Sequence, residues 1–547
     1  MRAVCTAVLL LLLASPAAGR ERPDDVAARG IRPDAIRAHV GFLADGLLEG
    51  REPGTRGYDV AARYVAAQLE GMGLRPAGDA GSWYQRVPLR RGVLDTARSA
   101  VTLVGPDGAR ALTEGAEWAA FGYAAADEVA VEAPLVYAGF GVTAPDQDWD
   151  DYAGVDVRGK IVVLLWGAPS RFPAPVRAWH ADFRTQARNA VAHGAVGVLL
   201  LLLPADRERF PWDWHVPQMH QGEMHWLDAD GSPRDAFSEL RGWVLLHDRA
   251  GEALFAGSGR TLADAYADAA AGRPASGPLP GSARIRLVTR HTDIASDNVL
   301  GLLPGSDPVA RGETVLFTAH LDHLGHCPPV NGDDVCHGAY DNASGVAVLL
   351  EVARAFATLP KAPRRSVAFA FVTAEEMGLL GSDYLAEHPT KALGRIVANV
   401  NLDGAPGYLY AMKDVVAIGR EHSTLDAAVQ RAARREGLTV AEDPMPEEVF
   451  FVRSDQFSFV KRGVPAVFLG EGPTARDPGI DGLATSSAWL KTRYHTPADA
   501  FDPQSDWTAV AEGARYTFRV GWEVAGARVA PAWNAGDFFG ERFGKVR

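Results

Sequence analysis

The sequence predicts an α/β protein with an open sheet in its second half. Apolar runs of strand length recur over residues 313–318, 365–373 and 396–402. Between the first two of these runs, residues 343–359 carry apolar side chains at helical spacing. The sequence pattern changes over 135–272, where short β-rich runs flank a helical stretch. This pattern indicates an inserted α/β or β-rich module. Strands that alternate with helices are typical of a sheet covered by helices.

Helical periodicity also marks both ends of the chain. Residues 31–74 carry apolar side chains every three to four positions, and a turn over 51–55 interrupts the pattern. A final helix is predicted over 506–524. Within the inserted module, strands are predicted over 160–165 and 196–203, with a helix over 183–193.

Two segments of the module have unusual composition. Residues 212–226 are rich in Trp and Met and contain His215, His220 and His225. We expect an irregular loop there, and the alternative is a metal or ligand patch. Residues 271–282 are rich in Pro, Gly and Ala and are interpreted as a joint to the second half of the chain.

Length and charge restrict the function classes. The 547 residues suffice for two or three domains, and 47% hydrophobic with 22% charged residues is ordinary for a globular protein. The formal net charge of −13 disfavours nucleic acid or anionic membrane as a partner.

The first residues resemble a secretory signal. Arg2 precedes an apolar run over 7–14, and small residues follow over 15–19. We expect residues 1–19 to be removed and the protein to be exported, as a periplasmic or secreted protein. No other uninterrupted apolar stretch is long enough to span a membrane.

Cys327 and Cys336 are the two cysteines that remain after the signal. They flank a loop-like stretch rich in Pro, Asn, Gly and Asp. In an oxidising compartment we expect them to form a disulfide, with two free thiols or metal thiolates as the alternatives.

Metal-type side chains follow three of the predicted strands. His320 ends the first, Glu375 and Glu376 follow the second, and Asp403 follows the third. Asp341 lies just before a predicted helix. Because loops at the carboxyl edge of such a sheet point polar groups into a crevice, we expect these residues to converge. Imidazoles and carboxylates suit zinc, and a shared carboxylate lets two ions sit about 3.5–4 Å apart.

Five motifs together resemble the co-catalytic dizinc aminopeptidase family, the bacterial leucyl-aminopeptidase-like metallopeptidases. They are residues 318–323, 338–345, 373–378, 401–404 and 494–499. Residues 50–55 and 454–457 share the resemblance, and residues 137–141 and 159–162 resemble a protease-associated domain. The resemblance implies a mixed-sheet exopeptidase fold with helices on both faces. It also implies four segments: a signal peptide over 1–19, an amino-terminal part of the peptidase domain over 20–133, the protease-associated domain over 134–272 and the catalytic domain over 273–547.

By this resemblance the site holds two Zn²⁺ ions. Asp341 bridges them, His320 and Asp403 complete one, and Glu376 and His495 complete the other. The candidate catalytic residues are Glu375 and Asp322. Glu375 is the general base, and Asp322 orients His320 through its second ring nitrogen. A cis peptide is implied after Asp341.

Other motif residues receive ordinary interpretations. His323, His326 and His337 are interpreted as loop histidines, and Asp499 as a brace for the His495 loop. Tyr340 stands where relatives often carry a second acidic residue, and Val452 where they often carry a tyrosine.

The resulting hypothesis is a zinc-dependent exopeptidase that hydrolyses the amino-terminal bond of peptides or proteins through a metal-bridging hydroxide. Three alternatives stay open. A carboxypeptidase of the same fold needs a cation for the terminal carboxylate, and Arg453 is the only motif arginine available. A glutaminyl cyclase uses one zinc, which the five-ligand set argues against. A non-enzymatic receptor-like protein is expected to have lost ligands or base.

Overall fold

The computed structural model describes residues 21–105, 108–273 and 275–545. The predicted signal segment, 1–19, lies outside the described residues. Within the described part of the chain, no helix combines the length and apolar character needed to cross a bilayer.

One strand of 28 residues, Ser276–Leu303, connects two sheets. Its second half pairs with strands of what we call the main sheet, and its first half pairs with strands of the insert sheet. The other main-sheet strands are Arg75–Pro76, Tyr84–Leu94, Glu223–Trp226, Glu313–His320, Ser366–Val372, Arg395–Asn401, Asp414–Ile418, Thr439–Val440 and Ala466–Glu471. The other insert-sheet strands are Ala100–Gly105, Gly108–Ala111, Trp118–Ala119, Glu128–Ala138, Ile161–Leu165, Gly197–Leu201 and Trp243–Leu246.

The centre of the main sheet is parallel. Its strands lie in the order Ser366–Val372, Glu313–His320, Arg395–Asn401 and Ala466–Glu471. Antiparallel neighbours flank them, Ser276–Leu303 on one side and Asp414–Ile418 on the other. The sheet is therefore mixed, as the resemblance implied. Continuous apolar runs form these central strands because both of their faces are buried.

Helices cover both faces of the main sheet, as predicted. Phe317 points toward the helices Gly345–Ala357 and Trp507–Gly526, and its ring lies 6.0 Å from that of Phe356. Leu316, one residue earlier, points to the opposite face and belongs to the cluster that contains Leu385 of the helix Leu380–Glu387. This alternation follows from the two-residue period of a strand.

The sequence marks several helix starts with capping residues. Thr55 caps Arg56–Gly71, and Asp506 caps Trp507–Gly526. The remaining α-helices are Pro23–Arg29, Pro33–Leu43, Ala174–Ala181, Phe183–Ala192, Pro204–Arg209, Trp212–His220, Asp248–Phe255, Leu262–Ala270, Leu425–Arg435, Phe450–Arg453, Gln456–Val460, Gly482–Thr492 and Phe538–Phe543.

The insert contacts the main domain through its helix Ala174–Ala181. Trp179 of this helix packs beside Phe451 and Phe457, with ring centres 5.8 Å apart in the latter pair. The insert sheet itself is parallel across the strands Glu128–Ala138, Ile161–Leu165 and Gly197–Leu201. The domain boundaries given above stay a prediction.

Two expectations about irregular segments were wrong. Residues 212–226 contain the helix Trp212–His220 and the strand Glu223–Trp226, because the latter pairs with Tyr84–Leu94. Residues 271–282 are not a joint throughout, because the long strand already begins at Ser276. The Pro- and Gly-rich composition of this segment coincides only with a shift in strand register between Pro278 and Ser282.

A short antiparallel ribbon, His326–Val330 with Asp333–Val335, follows the strand Glu313–His320. The predicted disulfide, Cys327–Cys336, is present and closes this ribbon. A second ribbon joins Thr143–Ala144 to Trp149–Asp150.

Candidate active site

The carboxyl ends of three adjacent parallel strands form one edge of the main sheet. His320 pairs with Val372 and Thr318 pairs with Asn401, so these strands end at the same level. The loops that follow carry Glu375, Glu376 and Asp403. The structure thus brings the side chains that the sequence placed after three separate strands to one edge, as expected.

The first group of polar atoms surrounds His320. Its Nε2 lies 3.1 Å from Asp403 Oδ1 and 3.2 Å from Asp341 Oδ1. Ser454 donates its hydroxyl to the other oxygen of Asp403 at 2.8 Å. One nitrogen and two carboxylate oxygens therefore enclose a space of the kind that zinc occupies.

The second group surrounds Glu376. His495 Nε2 lies 3.0 Å from Glu376 Oε2 and 3.4 Å from Asp341 Oδ2. Asp341 therefore turns one oxygen toward each group, which is the arrangement that a bridging carboxylate needs. All five side chains assigned to metal by the resemblance meet here, and their binding of metal stays a prediction.

His323 is a further member of the second group. It is fully buried, and its Nδ1 lies 2.6 Å from Glu376 Oε1. Its sequence context predicts a loop histidine, whereas the structure places it beside the candidate ligand Glu376. The available signal was its spacing, three residues after His320. His337 contacts Asp333 and the carbonyl of Ala44 and is a loop histidine as expected. His326 is exposed and begins the ribbon strand His326–Val330 rather than lying in a loop.

Electrostatics of the groups indicate a cation site. Burial lowers the pKa of His495, but the carboxylates of Glu376 and Asp341 outweigh it and raise the pKa to about 10. For Glu376, burial raises the pKa, and neighbours led by His495 lower it to about 2. The carboxylates thus favour positive charge at these imidazoles. A metal cation would supply the same charge while leaving the imidazoles neutral as ligands.

The unpaired atoms fit metal ligands. Among the described residues, His323 Nε2 has no hydrogen-bond partner although it is buried. His495 Nε2 is also buried and has only the carboxylate oxygens of Glu376 and Asp341 beside it. Buried polar atoms are rarely left without a partner. Three overlapping groups of three side chains each have donor atoms close enough to hold an ion. The groups are His320 with Glu375 and Glu376, His320 with Asp341 and Asp403, and His323 with Asp341 and Glu376. The chemistry of this nitrogen and oxygen donor set fits zinc.

Glu375 presents a carboxylate without a hydrogen-bond partner among the described residues, beside His320 and Glu376. Burial is the main reason that its pKa is raised well above the usual value, and the carboxylates of Asp403 and Glu376 add to the rise. A carboxylate with raised proton affinity suits a group that must accept a proton.

Asp322 acts differently from the prediction. His320 Nδ1 lies 3.2 Å from the backbone carbonyl of Asp322, whereas the Asp322 carboxylate is 3.9 Å away and too far for a hydrogen bond. That carboxylate accepts the backbone N–H of Glu375 at 3.1 Å and of Glu376 at 3.3 Å. Asp322 therefore orients the imidazole through its main chain and holds the Glu375 loop through its side chain.

Asp499 also differs from its expected role. Its carboxylate accepts the backbone N–H groups of Tyr340 and Asp341 at 2.9 and 3.0 Å. It therefore braces the Asp341 loop rather than only the His495 loop. The expected cis peptide joins Asp341 to Asn342. Asn342 donates to Leu402 at 2.9 Å, which connects this loop to the one that carries Asp403.

Tyr340 and Val452 do not reach the metal-type groups through a hydrogen bond. Tyr340 donates its hydroxyl to Glu471 at 3.1 Å. Val452 lines a cleft between the insert and the main domain. Gly378 and Leu379, which follow the Glu375 loop, line the same cleft with Arg184 of the insert. The insert thus forms one wall of a cleft beside the candidate site.

Comparisons with known proteins agree with this geometry. Residues 298–520 match the model of Peptidase family M28, and residues 131–220 match that of the PA domain. The predicted resemblance to an aminopeptidase family with a protease-associated domain is therefore confirmed, and the number of ions stays a prediction.

Aminopeptidase NAALADL1 of Rattus norvegicus is 27% identical over 310 residues, which are 49% of this chain and 38% of that protein. A glutamate carboxypeptidase 2 homolog of Caenorhabditis elegans is 25% identical over 378 residues, which are 60% of this chain and 44% of that protein. The chain thus spans less than half the length of these curated relatives.

A solved structure of an aminopeptidase from Aneurinibacillus sp. strain AM-1 aligns with a TM-score of 0.54 at 20% identity. The alignment covers 93% of this chain and 97% of that chain. It shows a shared fold over almost the whole length.

Proposed function

Because the chain carries a Peptidase family M28 domain preceded by a PA domain, we propose that it is a two-zinc exopeptidase that hydrolyses the amino-terminal bond of peptides. The observation that carries the proposal is the position of Asp341, whose two oxygens face His320 on one side and His495 on the other. No single ion needs a carboxylate so placed between two sets of donors.

His320 and Asp403 would hold one ion and Glu376 and His495 the other, with Asp341 shared. When bound, the two zinc ions would polarise the scissile carbonyl and acidify a water molecule. Glu375 accepts the proton of that water at its carboxylate and delivers it to the nitrogen of the leaving amine. Asp322 keeps Glu375 in place by binding its backbone N–H. His323 holds one oxygen of Glu376, so that the other oxygen faces His495.

Metal analysis combined with a substrate panel tests the proposal. We expect about two zinc ions per chain, and hydrolysis of aminoacyl substrates that stops with a chelator and returns with zinc. Peptides with a blocked amino terminus should not be cleaved. One zinc per chain with cyclisation of amino-terminal glutamine would favour the cyclase, and no bound zinc would favour the receptor-like alternative.

A carboxypeptidase is a second candidate because of Arg184. A Cβ on Gly378 would lie 2.5 Å from Arg184 Nη2, so the guanidinium packs directly against this glycine. Gly378 donates its N–H to the carbonyl of Glu375 at 2.8 Å, which closes a turn after the proposed base. Arg184 therefore contacts the turn that Glu375 begins. Among the described residues, Arg184 has no ion-pair or hydrogen-bond partner, whereas Arg188 in the same cleft faces Asp235 at 3.5 Å. A terminal carboxylate is a natural partner for such a guanidinium.

Substrates blocked at either end distinguish the two candidates. An aminopeptidase loses activity on amino-blocked peptides and keeps it on carboxyl-amidated ones, and a carboxypeptidase shows the reverse. Arg184→Met should raise KM for peptides with a free terminal carboxylate if Arg184 binds that carboxylate. Arg188→Met is the matched control, and its KM should stay close to that of the wild type.

We also propose that the protein is exported. The signal pattern in the first 19 residues and the disulfide Cys327–Cys336 support this location. Cell fractionation with amino-terminal sequencing should find the mature protein outside the cytoplasm, starting near Arg20. A full-length protein retained in the cytoplasm would contradict export.

A further inference from the structure

Arg51 lies beneath the candidate metal centre and has no part in the mechanism above. It belongs to the amino-terminal motif 50–55, and only 1% of it is exposed. Among the described residues, none supplies it with a carboxylate partner at ion-pair distance. Arginine is rarely buried without such a partner, so hydrogen bonds must satisfy the guanidinium instead.

Four backbone carbonyls provide those hydrogen bonds. Nε donates to Leu321 at 2.9 Å, and Nη2 donates to Gly338 at 3.0 Å. Nη1 donates to His337 at 2.8 Å and also to Leu43. Leu321 directly follows His320, and Gly338 comes shortly before Asp341. The guanidinium therefore joins the two loops that carry these candidate ligands.

The backbone of the same segment contacts the first of these loops. Gly325 donates its N–H to the carbonyl of Gly50 at 3.1 Å, and His323 donates to the carbonyl of Arg51 at 3.3 Å. A Cβ on Gly50 would lie 2.4 Å from the carbonyl oxygen of Gly325, so only glycine fits there. The segment thus packs backbone to backbone against the His320 loop.

The conformation of this segment is costly. Glu49, Gly50 and Arg51 all have left-handed backbone angles, with φ of 50°, 66° and 51°. Residues other than glycine adopt this region at a cost in free energy, and surrounding contacts must sustain it. The hydrogen bonds of Arg51 to Leu321 and Gly338 are among the contacts that sustain it.

We propose that Arg51 is a positioning residue of the metal centre. It holds the His320 loop and the Asp341 loop at the separation at which both side chains reach a common ion. Burial lowers its pKa to about 10, so the group stays charged and keeps all its donors at neutral pH. Lysine cannot replace it, because a single ammonium cannot reach four carbonyls that a planar guanidinium spans. This inference rests on the proposed function, since it requires that zinc binds here.

Zinc affinity of Arg51 variants tests the inference, with Arg365 as the matched control. Arg365 is equally buried in the same domain and donates to Glu313 at 2.7 Å and to Val524 at 3.3 Å. It lies at the amino end of the strand Ser366–Val372, opposite the site. Competition with a chromophoric chelator gives the zinc affinity, and thermal unfolding with and without zinc gives stability.

For Arg51→Met we expect zinc affinity to fall roughly tenfold or more, the range typical for residues that orient metal ligands. Arg51→Lys should lose affinity in the same direction. Arg365→Met should melt at a lower temperature while its zinc affinity stays that of the wild type. Added guanidinium ion at low millimolar concentration should restore zinc affinity to Arg51→Ala and not alter that of Arg365→Ala.

Wild-type zinc affinity in folded Arg51→Met would overturn the inference. If that variant does not fold, Arg51→Lys decides: an unchanged zinc affinity overturns the inference, and a loss of tenfold or more supports it. A wild-type protein that binds no zinc contradicts the proposed function itself, so the two failures are distinguished.

Discussion

The carboxylate of Asp322 accepts the backbone N–H of Glu375 at 3.1 Å. Asp322 thereby connects the loop after one central strand to the loop after its neighbour. Asp322 thus acts on the proposed base, Glu375, as well as on the imidazole of His320.

Asp322→Asn should lower both kcat and stability. The amide offers one acceptor where the carboxylate offers two, and its NH₂ group would face a buried backbone N–H. We expect a loss of about 1–3 kcal/mol in the free energy of unfolding, measured in urea, and a lower kcat. Asp230→Asn is the control, because Asp230 accepts hydrogen bonds only in an exposed turn. Unchanged kcat and stability in Asp322→Asn would refute this role.

Glu375→Gln should bind zinc normally and lose most turnover. The change removes the group that accepts the proton, whereas the proposed ligands stay in place, so kcat should fall by roughly 10²–10⁴. Glu376→Gln, one residue later, should instead lose zinc. Metal analysis and steady-state kinetics on both variants check the assignment, and it fails if Glu375→Gln keeps wild-type hydrolysis.

His323→Asn should weaken zinc binding. The buried ring holds Glu376 Oε1 at 2.6 Å, and its loss frees the carboxylate to turn. We expect roughly a tenfold or greater loss of zinc affinity, measured by chelator competition. His326→Asn, three residues later and exposed, should behave like the wild type. Equal zinc affinities for the two variants would show that His323 is an ordinary loop residue.

Asp383 should contribute to stability at neutral pH and not at pH 2. Burial raises its pKa, but Lys461 at 2.7 Å and Trp226 at 3.1 Å outweigh this effect and lower the pKa to about 2. Since this folded pKa lies below the ordinary aspartate pKa of 3.8, the contribution is complete above about pH 4 and is lost as the pH falls toward 2. It amounts to about 2 kcal/mol.

The difference in unfolding free energy between the wild type and Asp383→Asn should therefore shrink from pH 7 to pH 2. Urea unfolding at pH 7, 4 and 2.5 measures it. Asp293→Asn, which removes an exposed ion pair with Arg90, should show a small difference throughout. A constant difference for Asp383→Asn across this range would contradict the stated pH dependence.

Removal of the disulfide should destabilise the protein. The double variant Cys327→Ser, Cys336→Ser opens a short loop, which costs about 2–3 kcal/mol by loop-closure entropy. We expect a lower melting temperature, and a reductant should lower the melting temperature of the wild type to the same value. Identical melting temperatures with and without reductant would show that the bond contributes nothing.

The central strands were predictable because their signal is local. Burial on both faces requires a continuous apolar run, and the predicted strand 365–373 corresponds to Ser366–Val372. The convergence of His320 and Asp403 followed from this, since parallel neighbours end at one edge. The role of each candidate ligand rests on the family resemblance, and the structure shows the side chains together.

The remaining features depend on partners distant in sequence. The position of His323 beside Glu376 depends on Arg51, which binds the His323 backbone from a distant segment, and on the bond from Asp322 to the Glu376 backbone. Glu223–Trp226 is a strand only because Tyr84–Leu94 lies beside it. The composition of residues 276–282 disfavours a strand, and pairing with Glu128–Ala138 overrides that preference.

The strand Ser276–Leu303 has a consequence for how the protein folds. Tyr84 pairs with Val299 and Leu94 with Thr289, so partners in the main sheet stand on either side of the whole insert. During synthesis the strand Tyr84–Leu94 has no native neighbour in this ladder until the insert has emerged from the ribosome. Such a high contact order slows folding and leaves an unpaired edge exposed in the meantime. The insert therefore governs when the sheet that bears the active site is completed, as well as what surrounds it.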